Sequence, residues 1–128
     1  MGRSVLIDTN VIIDLFYQRM PQAGGSFLTD IINSGQYYFS MINQIELLGY
    51  PSDEIQEGYL IEVINNAKIL PLSPRVVHKA IELKRSRKIK TPDAIVAATG
   101  LVYDLDILTR NTKDFDQLEL TLIDPHQL

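Results

Sequence analysis

The stretch Ser4-Val5-Leu6-Ile7-Asp8-Thr9-Asn10-Val11-Ile12 decides the architecture. Val5-Leu6-Ile7 is an unbroken apolar run. That is the pattern of a strand covered on both faces, as in a parallel sheet with helices above and below. Asp8, Thr9 and Asn10 follow at once, and all three are good helix caps. Helical spacing then runs from Asn10 to about Gln18, with Val11, Asp14 and Leu15 on one face and Ile12 and Phe16 on another. A strand passing directly into a helix is half of a βα unit.

The unit repeats along the chain. Pro21 to Ser26, holding Gly24-Gly25, reads as a loop, with Ser26 capping a helix to about Asn33 that Ser34-Gly35 ends. Tyr37 to Ser40 reads as a strand and Met41 to Gly49 as a helix, with Ile42, Ile45, Glu46 and Gly49 stacked. Pro51-Ser52 breaks that helix and caps the next, Asp53 to Asn66. Lys68 to Leu72 is a strand, and Ser73-Pro74 opens a helix to about Lys88. Thr91-Pro92 repeats the device for a helix from Pro92 to Tyr103. A strand from Asp106 to Thr109, a helical turn from Thr112 to Gln117 and a strand from Glu119 to Ile123 complete the chain. This alternation predicts an α/β fold: a three-layer α/β/α sandwich with a mostly parallel sheet, in one domain over residues 1–128. In such folds the ligand crevice lies beyond the carboxyl ends of the strands.

Composition sets the bounds. The 128 residues, 45% of them apolar, are enough for one real core. No apolar stretch approaches the roughly 20 residues a membrane helix needs. Val5-Leu6-Ile7, after Met1-Gly2-Arg3-Ser4, is too short for the apolar part of a signal peptide. Without cysteine there is no disulfide framework and no thiolate metal site, so a cytoplasmic protein is expected. The net charge of −4 speaks against a polyanionic partner, but the charge is segregated. Lys84, Arg85, Arg87, Lys88 and Lys90 hold five of the twelve basic residues, leaving seven against sixteen acidic ones elsewhere. Alone, that run reads as a solvated helix end favoured by the helix dipole. Beside an acidic site it reads as a grip for phosphates.

Four places carry acids where chemistry is expected. Asp8 ends a strand and so lies on the crevice rim, where it reads equally as a cap. Glu46 interrupts the apolar Ile45, Leu47 and Leu48; a charge on a buried face is costly and invites a cation. A side chain snorkelling to solvent or paired with an arginine is the plainer alternative. Asp93 opens a helix whose Ala94, Ala97, Ala98, Gly100 and Leu101 form a small-residue face suited to close packing on the sheet. After the strand ending at Thr109, both Asn111 and Asp114 face the crevice if the turn is short, and spacing does not choose between them. Carboxylates brought to one rim repel until a cation neutralises them. All-oxygen ligands suit Mg²⁺ or Mn²⁺ better than zinc, and such an ion polarises a phosphoryl oxygen and acidifies water.

Four motifs in this order resemble PIN-domain nucleases, particularly VapC-type toxins of toxin–antitoxin pairs. They are Leu6-Ile7-Asp8-Thr9-Asn10-Val11-Ile12, Ile45-Glu46-Leu47-Leu48, Pro92-Asp93-Ala94-Ile95-Val96-Ala97-Ala98-Thr99 and Leu108-Thr109-Arg110-Asn111-Thr112-Lys113-Asp114-Phe115. The resemblance covers nearly the whole chain. It implies Mg²⁺- or Mn²⁺-dependent cleavage of RNA, a homodimer and an antitoxin partner. It also implies that Asp8, Glu46 and Asp93 bind the metal and that the Thr9 hydroxyl supports the site, with Thr109 as a second supporting hydroxyl. The family's fourth acidic position falls on Asn111, a departure that leaves one charge fewer and Asp114 as a substitute. Arg85, Arg87, Lys88 and Lys90 are then expected to hold RNA. No histidine acid is implied, and His78 and His126 are expected to be incidental. A phosphohydrolase of the haloacid dehalogenase type would need a second aspartate where Asn10 stands. A non-catalytic PIN-like binding domain is the other reading. Asn111 favours it, and the presence of the three acids together opposes it.

Overall fold

The computed structural model describes residues 4–128; Met1-Gly2-Arg3, on which the leader reading partly rests, lie outside them. The elements run β1 (Val5–Ile7), α1 (Thr9–Phe16), α2 (Gln22–Ser34), β2 (Tyr37–Ser40), α3 (Met41–Leu48), α4 (Glu54–Asn65) and β3 (Lys68–Leu70). The second half is α5 (Pro74–Ser86), α6 (Thr91–Tyr103), β4 (Asp106–Leu108), a 3₁₀ turn (Thr112–Phe115), β5 (Leu122–Ile123) and a last 3₁₀ turn (Pro125–Gln127).

All five strands pair in parallel, in the order β3-β2-β1-β4-β5. The strand alternation sorts their side chains into two apolar layers. Val5, Ile7, Tyr37, Phe39 and Leu108 point to one face, where Val11, Ile12, Leu28, Leu60 and Val63 cover them. Leu6 and Ile107 point to the other, against Val76, Leu83, Val96, Ala97, Ala98 and Phe115. The result is the expected three-layer sandwich. The chain moves outward from β1 to β3, then returns to the other side of β1 for β4. The direction of strand order therefore reverses between β1 and β4, the position where open α/β sheets leave a crevice.

Several local readings change. Helix α2 starts at Gln22, so Pro21 to Ser26 is not a loop and Ser26 is not a cap. Gly24 is there for packing: a Cβ on it would stand 1.9 Å from the Pro125 carbonyl oxygen. Thr91 is the first residue of α6, whose cap position is Lys90 and carries no side-chain hydrogen bond. The predicted small-residue face is real, since a Cβ on Gly100 would meet Ile107 at 3.0 Å. The last strand is two residues rather than five, an edge strand bonded on one side only. Among the described residues no helix is long and apolar enough to cross a membrane.

Candidate active site

Asp8 follows β1 directly and caps α1, and it lines the cleft at the end of that strand. Its carboxylate accepts from the Thr9 backbone N–H at 2.9 Å, the Asn10 side-chain amide at 3.3 Å and the Thr109 hydroxyl at 2.9 Å. Thr109 is fully buried at the end of β4, so these bonds join the two strands that flank the reversal point. The loop beyond is pinned in the same way: Arg110 N–H donates to Asn10 Oδ1 and Asn111 N–H to Thr109 Oγ1.

Burial raises Asp8 to about 6, against the lowering effect of its bonds from Thr109 and the Thr9 backbone, while Asp93 and Glu46 add repulsion. Burial likewise raises Asp93, and Asp114 and Glu46 push it further, partly opposed by Lys90. The three predicted acids thus feel one another across a cleft of about 320 Å³ lined by Asp8, Thr9, Glu46, Asp93 and Asn111. Glu46 differs from its expected setting. It is exposed, as are Ile45 and Leu48, and the buried face of α3 carries Asn43 and Leu47 instead. What restrains Glu46 is the Thr9 hydroxyl, which donates to Oε1 at 2.8 Å.

Asn111 lines this acidic cleft, whereas Asp114 lines an adjoining trough of about 750 Å³. Asp93 belongs to both. Arg87, Lys88 and Lys90 line the trough, joined by Lys113 from the turn after β4, which the sequence reading passed over. Arg85 lies elsewhere, in an apolar groove with Leu72, Val77 and Ile81.

The sequence reading also missed Asp14. It is 2% exposed and pairs through Oδ2 with Arg110 at 2.7 Å and His126 Nε2 at 3.1 Å, at the edge of the cleft. His126 is therefore tied to a residue lining the cleft, whereas His78 lies 77% exposed beside Glu82. The signal was present: Asp14 interrupts an apolar run just as Glu46 does.

The ligand atoms the acids of the cleft offer are all oxygen, and burial disfavours the unpaired charge of two of these carboxyls, so they suit a hard divalent cation. Among the described residues no three acidic or histidine side chains close into a ready-made cage. That is compatible with Mg²⁺, which keeps several waters and takes one or two carboxylates together with ligand phosphates.

A parallel α/β sandwich with an acidic cleft at its reversal point defines the class of this protein. The PIN domain family matches residues 5–119, and the chain belongs to it. It is similar to Ribonuclease VapC1 of Methanocaldococcus jannaschii, 26% identical over 117 residues covering 90% of this chain and 81% of that one. Its structure is similar to that of a toxin-antitoxin complex from Klebsiella pneumoniae, with TM-score 0.77 and 28% identity over 98% of this chain and all of that one. FitAcB from Neisseria gonorrhoeae shares the fold, with TM-score 0.75 and 23% identity over 97% and 99% of the two chains.

Proposed function

We propose that this chain is a divalent-metal-dependent endoribonuclease, the toxin of a toxin–antitoxin pair, acting as one PIN domain over residues 1–128 in the cytoplasm. The observation that carries the reading is the convergence of Asp8, Glu46 and Asp93 on one cleft, with Asp8 held at about 6. Asp8, Glu46 and Asp93 would hold Mg²⁺ or Mn²⁺. When bound, the ion supplies positive charge that polarises a phosphoryl oxygen and acidifies a nearby water.

The chain's own residues do the rest. Thr9 and Thr109 keep the Glu46 and Asp8 carboxylates oriented toward the cleft through their hydroxyls. Arg87, Lys88, Lys90 and Lys113 offer cations to the phosphates on one side of the scissile bond, and Asp93 stands where trough and cleft meet. An acidic protein thereby holds a polyanion with a local basic surface. Asn111 contributes an amide where a fourth carboxylate would stand, which favours a site with few direct protein ligands. The similarity to a ribonuclease and to a toxin-antitoxin complex supports RNA as substrate and an antitoxin as partner; a homodimer is the assembly that the family resemblance implies.

The test is cleavage of a labelled RNA panel by the purified chain with Mn²⁺, Mg²⁺ or EDTA. We expect cleavage with metal only, and a loss of a hundredfold or more in Asp8→Asn and Asp93→Asn with unchanged circular dichroism. Full activity in both variants would refute the site. Metal-independent RNA binding without cleavage would favour the non-catalytic reading.

A further inference from the structure

We infer that Asn43 is a positioning residue: it sets the direction of the Thr9 hydroxyl and, through it, the orientation of the Glu46 carboxylate. This rests on the proposed function, because it gives Glu46 a role toward the cation. Asn43 is fully buried on α3, one turn before Glu46, and its two amide ends do different work. The Oδ1 end accepts from Ser40 N–H at 3.0 Å and Ser40 Oγ at 2.8 Å, closing the capping box of α3. The Nδ2 end leaves the cap and donates to Thr9 Oγ1 at 3.1 Å.

The cap needs only an acceptor at this position, which a carboxylate supplies equally well. The amide donor is therefore surplus to the helix and is used on Thr9. A threonine hydroxyl has one proton. Because its oxygen already receives the Asn43 N–H, that proton is directed away from Asn43, and it lies on Glu46 Oε1 at 2.8 Å. Glu46 is exposed, and among the hydrogen bonds described its carboxylate has this one. Ser40, Asn43, Thr9 and Glu46 thus form a directional relay from the end of β2, across to α1 and back to α3. The relay holds one acid of the cleft in place without touching the cation.

The experiment is a Mn²⁺ titration of the whole chain by calorimetry. The variants are Asn43→Asp, which keeps the cap acceptor but loses the donor, and Asn43→Ala, which loses both. Thr9→Val and the double variant Thr9→Val/Asn43→Ala complete a cycle. Ser73→Ala, which removes the cap of α5 at a residue that does not line the cleft, serves as a control for lost helix capping. We expect each single change at Asn43 to weaken Mn²⁺ binding about tenfold, the usual scale for residues that orient metal ligands. The double variant should be no weaker than Thr9→Val alone, and Ser73→Ala should bind within twofold of the unaltered chain. Affinities of both Asn43 variants within twofold of the unaltered chain, or losses that add in the double variant, would overturn the relay alone. An unaltered chain that takes up no Mn²⁺ would overturn the proposed function and the relay with it.

Discussion

Thr109 Oγ1 donates to Asp8 Oδ2 at 2.9 Å although 101 residues separate them in the chain. The bond ties the ends of β1 and β4 where the sheet order reverses, and it serves a carboxylate that is almost wholly buried. Thr109→Val keeps the shape and removes the donor. We expect a loss of about 1.5–3 kcal/mol at pH 7, the range for hydrogen bonds to charged groups. The loss should shrink at pH 5, where Asp8 is largely protonated. Urea melts at the two pH values check this.

The raised carboxyl of Asp8 makes stability depend on pH in a definite direction. Unfolded, it titrates near 3.8; folded, near 6, so the native state binds the extra proton between these values. Its contribution is a penalty, absent below about 4 and complete above about 6. A two-unit shift corresponds to roughly 3 kcal/mol. Asp93 shifts in the same direction. The metal-free chain should therefore melt at higher temperature as pH falls from 7 toward 5, and Asp8→Asn should flatten the profile. Calorimetric scans in EDTA test the sign. A wild-type profile that falls over this interval would contradict it.

Two neighbouring glycines should respond oppositely to the same change. A Cβ on Gly24 meets the Pro125 carbonyl at 1.9 Å, so Gly24→Ala must push the C-terminal 3₁₀ turn off α2, at about 1–3 kcal/mol. A Cβ on Gly25 meets Leu15 and Met20 at 3.9 Å, ordinary contact. Gly25→Ala should gain about 0.5–1 kcal/mol from helix propensity alone. Denaturant midpoints of the two variants decide it.

The pair of Arg110 with Asp14 should outweigh the exposed pair of Lys79 with Glu82. Asp14 is 2% exposed, so Arg110→Ala leaves a buried carboxylate with His126 as its one ion-pair partner among the described residues. Breaking a buried pair costs about 3–5 kcal/mol, and the half-exposed guanidinium lowers our figure to about 2. Lys79→Ala, between side chains 40% and 52% exposed, should cost under about 1 kcal/mol. Comparable losses in the two variants would show that Arg110 is held no more firmly than a surface lysine.

Much of this was legible in the residues, because strand and helix periods and end signals are local. The apolar run before Asp8 and the capping run after it placed that acid at the crevice. The same logic placed Asp93 and the turn after β4. What was not legible depends on which residues lie opposite one another. Gly24-Gly25 looks like a turn until Pro125 is known to press on it. His126 looks idle until the last turn folds back to Asp14. Glu46 does line the cleft, but not by the route its neighbours suggest. Its apolar neighbours suggested burial, but Ile45 is 65% exposed, and the glutamate is held by a hydroxyl from another helix.

The central position of β1 has a consequence for how the cleft adapts. The amides of Leu6 and Ile7 sit in the middle strand of the sheet, so deuterium should replace their protons last, when the whole molecule opens. The Asp8 wall is thus an anvil. Glu46, on the exposed side of α3 and clasped to α1 by a threonine hydroxyl, forms the part of the cleft that should open first, its amide exchanging well before those of Leu6 and Ile7.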